Sequence, residues 1–190
     1  MTNTEELKEL CKSKNFNKEL AESLIKNINF NQAIESEETT FLYLAVTSGN
    51  IDMVKFLLDN GADPNYFTED DGPVLWELQH TAFFEMEEKQ RLELVKLLLE
   101  YGADPNIVSW DEPLFDYITY KVFNEADSDD WDYIVKFFIY LVAYGGSTNY
   151  CRPIIYKEFD KSCMHEYKFR FIKKGSRGKI VRKGRRIAYI

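Results

Sequence analysis

The chain reads as an all-α helical solenoid of about four stacked units, with a small β-hairpin or meander at its C-terminus. Three observations predict this. The stretch Ile51–Asn65 places apolar residues at Ile51, Val54, Leu57 and Leu58, one stripe along a short helix, and leaves it through Gly61-Ala62-Asp63-Pro64-Asn65. Leu92–Asn106 repeats that helix and exit almost residue for residue, and Tyr144-Gly145-Gly146-Ser147-Thr148-Asn149 echoes the exit again. The helix-ending glycines are spaced by 102 − 61 = 41 and 145 − 102 = 43 residues. Two short helices followed by a punctuated loop cannot bury their own apolar faces, so copies must stack.

Taken in order, the first unit (residues 1–31) holds two short helix candidates, Thr4–Ser13 and Asn17–Lys26. Thr4 ahead of Glu5 and Glu6 is the expected N-cap. Asn27-Ile28-Asn29-Phe30-Asn31 stands where the later exits stand, with Asn27 in the glycine role because Asn tolerates the left-handed conformation. In the second unit (32–65), Leu42–Val46 forms a helix closed by Gly49, and Asn50 caps the helix that follows. Gly61 supplies the left-handed exit, and Pro64 forbids continuation. The third unit (66–106) puts Val74–Leu78 in the place of Phe41–Ala45 and carries eight extra residues around Thr81–Gln90, since Leu75 to Gly102 spans 27 residues against 19 from Leu42 to Gly61. The fourth (107–149) starts its first helix at Pro113–Tyr117 and has twelve extra residues, including Asn124–Asp130. Both insertions fall at one point of the unit and are expected on one edge of the stack. The helix Asp132–Tyr144 is apolar nearly all round, with Ile139 where earlier units have Lys55 and Lys96, so it requires cover on both sides. The tail, 150–190, alternates aromatic and basic residues from Tyr167 to Lys173, then turns at Gly175–Gly178 and at Lys183–Arg185. It is expected to cap the array, with Tyr167, Phe169 and Phe171 packed on the last helix.

Leu42-Tyr43-Leu44-Ala45 followed by Gly49-Asn50, then Val54-Lys55-Phe56-Leu57-Leu58 and Gly61-Ala62-Asp63-Pro64-Asn65, closely resembles the ankyrin repeat. The second and third exits match strongly and the fourth is degenerate; the units run longer than the family's typical length of about 33 residues. The resemblance implies a binding module that meets its partner with the loop tips and with the first-helix face lining a concave side. The Asp-Pro-Asn exits are similar to those of compact bacterial ankyrin proteins, some of which are immunity proteins encoded beside toxins.

Charge sharpens this. Residues 150–190 carry thirteen Lys and Arg against three acids, a net of +10. The whole chain is −8, so residues 1–149 carry −8 − 10 = −18. An acidic body favours a basic partner. The basic tail could instead bind nucleic acid through phosphates and stacking, although the acidic body would repel a polyanion and could itself pair with the tail. No apolar run reaches the roughly 18 residues a membrane span needs, and the N-terminus lacks the basic-then-apolar order of a signal peptide. Cys11, Cys151 and Cys163 suit a reducing cytoplasm rather than a disulfide scaffold. His80 and His165 have no metal-ligand spacing, no Gly-rich phosphate loop precedes a helix, and no Ser or Cys sits in a nucleophile motif. The expectation is a monomeric, non-enzymatic module with no cofactor, metal or small-molecule substrate. A nucleic-acid-associated protein and an oligomerisation module are the alternatives.

The residues placed to receive a partner are Tyr66, Phe67, Glu69, Asp70, Asp71, Trp76, Trp110, Asp111, Glu112 and Tyr120, at loops and first-helix starts. Aromatics there make anchors, and acids steer a basic partner. Trp76 aligns with Tyr43 and Phe115, where packing between units is an equally good use of the ring.

Overall fold

In the computed structural model the described residues are 2–34, 38–80, 86–109, 111–124, 129–146, 180–183 and 186–189. Among them are eight helices: α1 (Asn3–Lys12), α2 (Lys18–Leu24), α3 (Phe41–Thr47), α4 (Ile51–Asp59), α5 (Val74–Glu77), α6 (Glu88–Glu100), α7 (Leu114–Asn124) and α8 (Trp131–Ala143). Two antiparallel strand pairs accompany them, β1 (Val108–Ser109) with β2 (Glu112–Pro113) and β3 (Ile180–Lys183) with β4 (Arg186–Tyr189). The helices follow one another in pairs. First helices α1, α3 and α5 pack in one row, and second helices α4, α6 and α8 in another. One continuous core runs through both rows, with Leu7, Met53, Leu57, Leu75, Leu94, Leu98, Leu114, Ile118 and Leu141 all fully buried.

Local chemistry accounts for the boundaries. Asn50 caps α4, its Oδ1 accepting from the Met53 amide at 3.0 Å. Asn17 caps α2 in the same way through Leu20 at 3.1 Å. The first cap is Thr2 rather than Thr4: its hydroxyl accepts from the Glu5 amide, and α1 starts two residues earlier than the acids suggest. Asn27 takes φ 66°, in register with Gly61 (93°), Gly102 (90°) and Gly145 (99°), so the same left-handed exit closes all four second helices. Two helices are longer than their apolar stripes. α6 begins at Glu88 and absorbs the end of the Thr81–Gln90 insertion, and α7 runs to Asn124, the first residue of the polar stretch. The β1–β2 hairpin is unannounced by any alternating pattern, because each strand has only two residues.

Successive units are laced by side-chain amides. Asn65 Nδ2 donates to the Gly102 carbonyl at 3.0 Å while its Oδ1 accepts from the Asp104 amide at 2.7 Å. Asn31 makes the same pair of bonds one unit earlier, to Gly61 O at 3.2 Å and from Asp63 N at 2.8 Å. Asn106 reaches Gly145 O at 3.4 Å one unit later. Each Asn is held by the acid or amide two residues before it: Asn29 for Asn31, Asp63 for Asn65 and Asp104 for Asn106. A helix exit thereby becomes a rung that sets the spacing of neighbouring loops. On the core side, Ser48 and Asn50 donate to the carbonyls of Cys11 and Ser13 at 2.6 Å each, satisfying groups that the end of α1 leaves open. Lys55, Asp59 and Tyr101 join α4 to the end of α6, with Tyr101 donating to Asp59 and Lys55 at 2.9 Å from the same carboxylate.

α8 buries Tyr133, Ile134, Val135, Phe137, Phe138 and Leu141. Tyr167, Phe169 and Phe171, the tail residues expected against it, lie outside the described residues, as do residues 81–85 and 125–128 of the two insertions. β3 and β4 pair Ile180 with Tyr189 and Lys183 with Arg186, and residues 184–185 of the turn expected at Lys183–Arg185 lie outside the described residues.

Candidate protein-binding surface

The loops after the Asn65 and Asn106 rungs each carry one exposed apolar side chain. Phe67 follows Asn65 by two residues and is 42% exposed; Val108 follows Asn106 by two and is 52% exposed. Because the rung fixes the two loops side by side, these positions correspond along the row of tips. Tyr66 is half-buried beside Phe67. Past Val108 the chain turns back through Asp111, at φ 61°, which brings Asp111 and Glu112 to the surface of the β1–β2 hairpin. Asp tolerates that left-handed position better than most residues. Trp110, the other turn residue, lies outside the described residues.

The acids ahead of α5 share one electrostatic environment. Glu69 and Asp70 are exposed, and Asp71 is half-buried, its amide bonded to the Thr68 hydroxyl at 3.1 Å. Burial pushes the Asp71 carboxyl up, the Thr39 hydroxyl opposes this, and the Asp70 charge adds to it. A hydrogen bond that protonated Glu38 donates to Asp70, then the Asp70 charge, raises Glu38, itself in a left-handed turn at φ 50°. Glu77, in α5, is raised by burial and then by Asp71. Gly72 makes room for it, since a Cβ there would stand 2.3 Å from Glu77 Oε1. Tyr43 is pushed up to about 12 by burial, with Glu77 and Asp71 contributing. Burial is the larger cause at Asp71 and Glu77, and neighbouring negative charge adds to it, so these carboxyls hold protons more tightly than usual.

The loop acids are thus brought together with Glu38, Tyr43 and Glu77, which sequence reasoning missed. The available signal was positional, because Tyr43 and Glu77 belong to first helices that align with one another. Glu38 has no periodic signal and is placed only by its turn. Two expected anchors stand elsewhere. Trp76 is 4% exposed and packs on the Tyr117 ring at 5.3 Å between centroids, so it supports the surface from inside the stack and offers no face to a partner. Tyr120 is 51% exposed but sits roughly 9 Å along α7 from Leu114, away from the loop tips.

Among the described residues no three His, Cys, Asp or Glu side chains converge as a metal site, and no helix is long and apolar enough to cross a membrane. A family model described as ankyrin repeats (three copies) matches residues 7–109. No curated protein matches the chain. The match covers more than half of the chain and falls on the first three helix pairs, α1 to α6. Ankyrin repeats commonly mediate protein–protein interaction and are typically not enzymes. The chain belongs to the ankyrin repeat family.

Proposed function

We propose that this chain is a non-enzymatic binding module, a solenoid of four ankyrin units over 1–149 with a basic cap over 150–190, that receives a basic partner protein on its acidic loop side. Asp70, Asp71, Asp111 and Glu112 form the steering rim; Phe67 and Val108 supply apolar contact, with Tyr66 beside them. The single observation that carries the reading is the raised carboxyls of Glu38, Asp71 and Glu77 around the loop before α5. Burial is the first cause at Asp71 and Glu77, but neighbouring carboxylates raise all three further, and that part marks negative potential that an incoming Lys or Arg would relieve. A cytoplasmic antidote that covers a basic toxin domain suits this surface, and an immunity role is the specific form proposed.

The test is affinity capture from the native cell with the tagged full chain, and mass spectrometry of what is retained. A basic protein should be recovered, and reversing Asp70, Asp71, Asp111 and Glu112 together to Lys should lose it. Recovery of nucleic acid that survives the reversals would shift the reading to the basic tail, where thirteen Lys and Arg stand against three acids. Sensitivity of the host to a neighbouring toxin gene when this chain is deleted tests the immunity role separately.

A further inference from the structure

The two loops beside the Asn65 rung repeat the same features at one offset. Phe67 and Val108 are separated by 108 − 67 = 41 positions, and so are Asp70 and Asp111, Asp71 and Glu112, and the rung residues Asn65 and Asn106. Both loops turn at the same place: the Asp71 amide donates to the Thr68 hydroxyl at 3.1 Å, and Ser109 pairs with Glu112 across the β1–β2 hairpin. Each loop therefore presents an exposed apolar side chain and then acids at its turn. The Asn65 side chain, bonded to the Gly102 carbonyl and the Asp104 amide, holds the two exits side by side. One unit earlier the corresponding residue is Ala33, half-buried and too small to anchor a partner.

Packed helices are spaced by about 8–10 Å, so equivalent loop positions recur at about that step along the stack. An occupant must offer two apolar side chains on one face at the same separation. In an extended strand, residues two apart share a face at about 6.6 Å and residues four apart at about 13 Å, while residues three apart point to opposite faces. An α-helix puts residues i and i+7 on one face, about 10.5 Å apart. A polyproline helix also matches, with i and i+3 about 9.3 Å apart, but it is a thin rod. The α-helix, about 10–12 Å across with its side chains, covers both bands of the surface at once, its apolar stripe on Phe67 and Val108 and its flank on the acids. The cations must come from the occupant, because among the described residues no Lys or Arg is paired with Asp70, Asp71, Asp111 or Glu112.

We propose that this loop row receives a basic amphipathic α-helix of the partner protein, laid along the stack. Its apolar residues at i and i+7 meet Phe67 and Val108, and Lys or Arg on its flank face Asp70, Asp71, Asp111 and Glu112. Charge complementarity sets the sign of the occupant, and the step between the loops sets its form. The inference rests on the reading that this side binds a basic protein, and adds the shape of what is bound.

The experiment uses the full chain and three fluorescent peptides of equal net positive charge, each about 18 residues long so that a helix can form. The first carries Leu at i and i+7 in an otherwise Lys-, Arg- and Ala-rich helix. The second moves the second Leu to i+9, on the opposite face. The third is proline-rich, with Leu at i and i+3. Fluorescence anisotropy should give the first peptide an affinity about tenfold or more above the other two, and its helicity in circular dichroism should rise on binding. Phe67→Ser with Val108→Ser should remove that preference and leave the weak, salt-sensitive binding common to all three. Both side chains are exposed, so this variant should melt with the native chain. Equal affinity for the three peptides, a preference for the second or third, or a preference that survives the two Ser substitutions overturns the helix. If reversing the four acids to Lys still abolishes that binding, the acidic loop surface stands without it; binding that survives the reversals overturns both. Absence of binding to any peptide also overturns the helix, and capture of a basic protein from the native cell then decides the wider reading by itself.

Discussion

Replacing Asn65 by Ala removes one rung between the second and third units. Two bonds go: the donation to Gly102 O at 3.0 Å and the acceptance from Asp104 N at 2.7 Å. Both lie at the surface, so water can replace the lost partner, and each contributes about 0.5–1 kcal/mol, the lower half of the usual range, so about 1–2 kcal/mol together. For a chain of this size that corresponds to a fall in Tm of roughly 3–6 °C. Asn65→Asp is the sharper variant. It keeps the acceptor for Asp104 N but turns a carboxylate toward the Gly102 carbonyl, between Asp63 and Asp104, so at pH 7 it should unfold below Asn65→Ala. Acidification that protonates the new carboxyl restores a donor and should reverse that order. Asn31→Ala cuts an equivalent rung one unit earlier; because Asp63 takes part in both, its amide bonded to Asn31 and its carboxylate to the Asn65 amide, the double variant should lose less than the sum of the two. Circular dichroism melts measure all four proteins. An Asn65→Ala melt within about 1 °C of the native chain would refute the rung as a source of stability, and an Asp variant no worse than Ala at pH 7 would refute its donor geometry.

Trp76→Ala should cost about 3–5 kcal/mol in urea unfolding, as expected for emptying a site that packs on Tyr117; unchanged stability with lost partner binding would instead make the ring an anchor. Burial raises the Cys11 thiol to about 12 from 9.0. Its proton is held by the folded chain and lost first by the unfolded one, so stability present below pH 9 should decline as pH rises toward 12, by at most about 1.4 kcal/mol per pH unit. Cys11→Ala should flatten that decline in alkaline unfolding, and an equal slope would exclude the thiol as its source. Glu38, Asp71 and Glu77 are raised in the folded chain, so the stability they contribute is complete below the ordinary carboxylate range and is lost as pH rises through their raised values. A basic partner pulls those values down, so its affinity should climb across the same interval, measured by calorimetry at stepped pH. In stopped-flow association, Asp70→Lys with Asp71→Lys should slow binding and weaken its salt dependence while leaving dissociation nearly unchanged.

The sequence by itself determined the helix pairs and their exits, because these depend on short-range chemistry. An apolar stripe at helical spacing, an Asn cap and a residue able to take positive φ lie within about fifteen residues of one another. That is why even Asn27, without a glycine, could be read as an exit, and why the array's acidic character was legible from counting alone. The start of α1 slipped by two residues for the same local reason, since Thr2 and Thr4 are equally good caps when only the following acids are weighed. What only the tertiary structure decided were the pairings made across units. Asn65 is an ordinary loop residue until the next exit is set beside it. Trp76 looks the same in sequence whether its ring meets Tyr117 or a partner. The cluster of Glu38, Asp71 and Glu77, and the burial of Arg91 over the Tyr133 ring, arise from residues brought together by stacking. Stacking distance is set by the packing of rows of helices against each other, a property of the whole core that no single window of the chain contains.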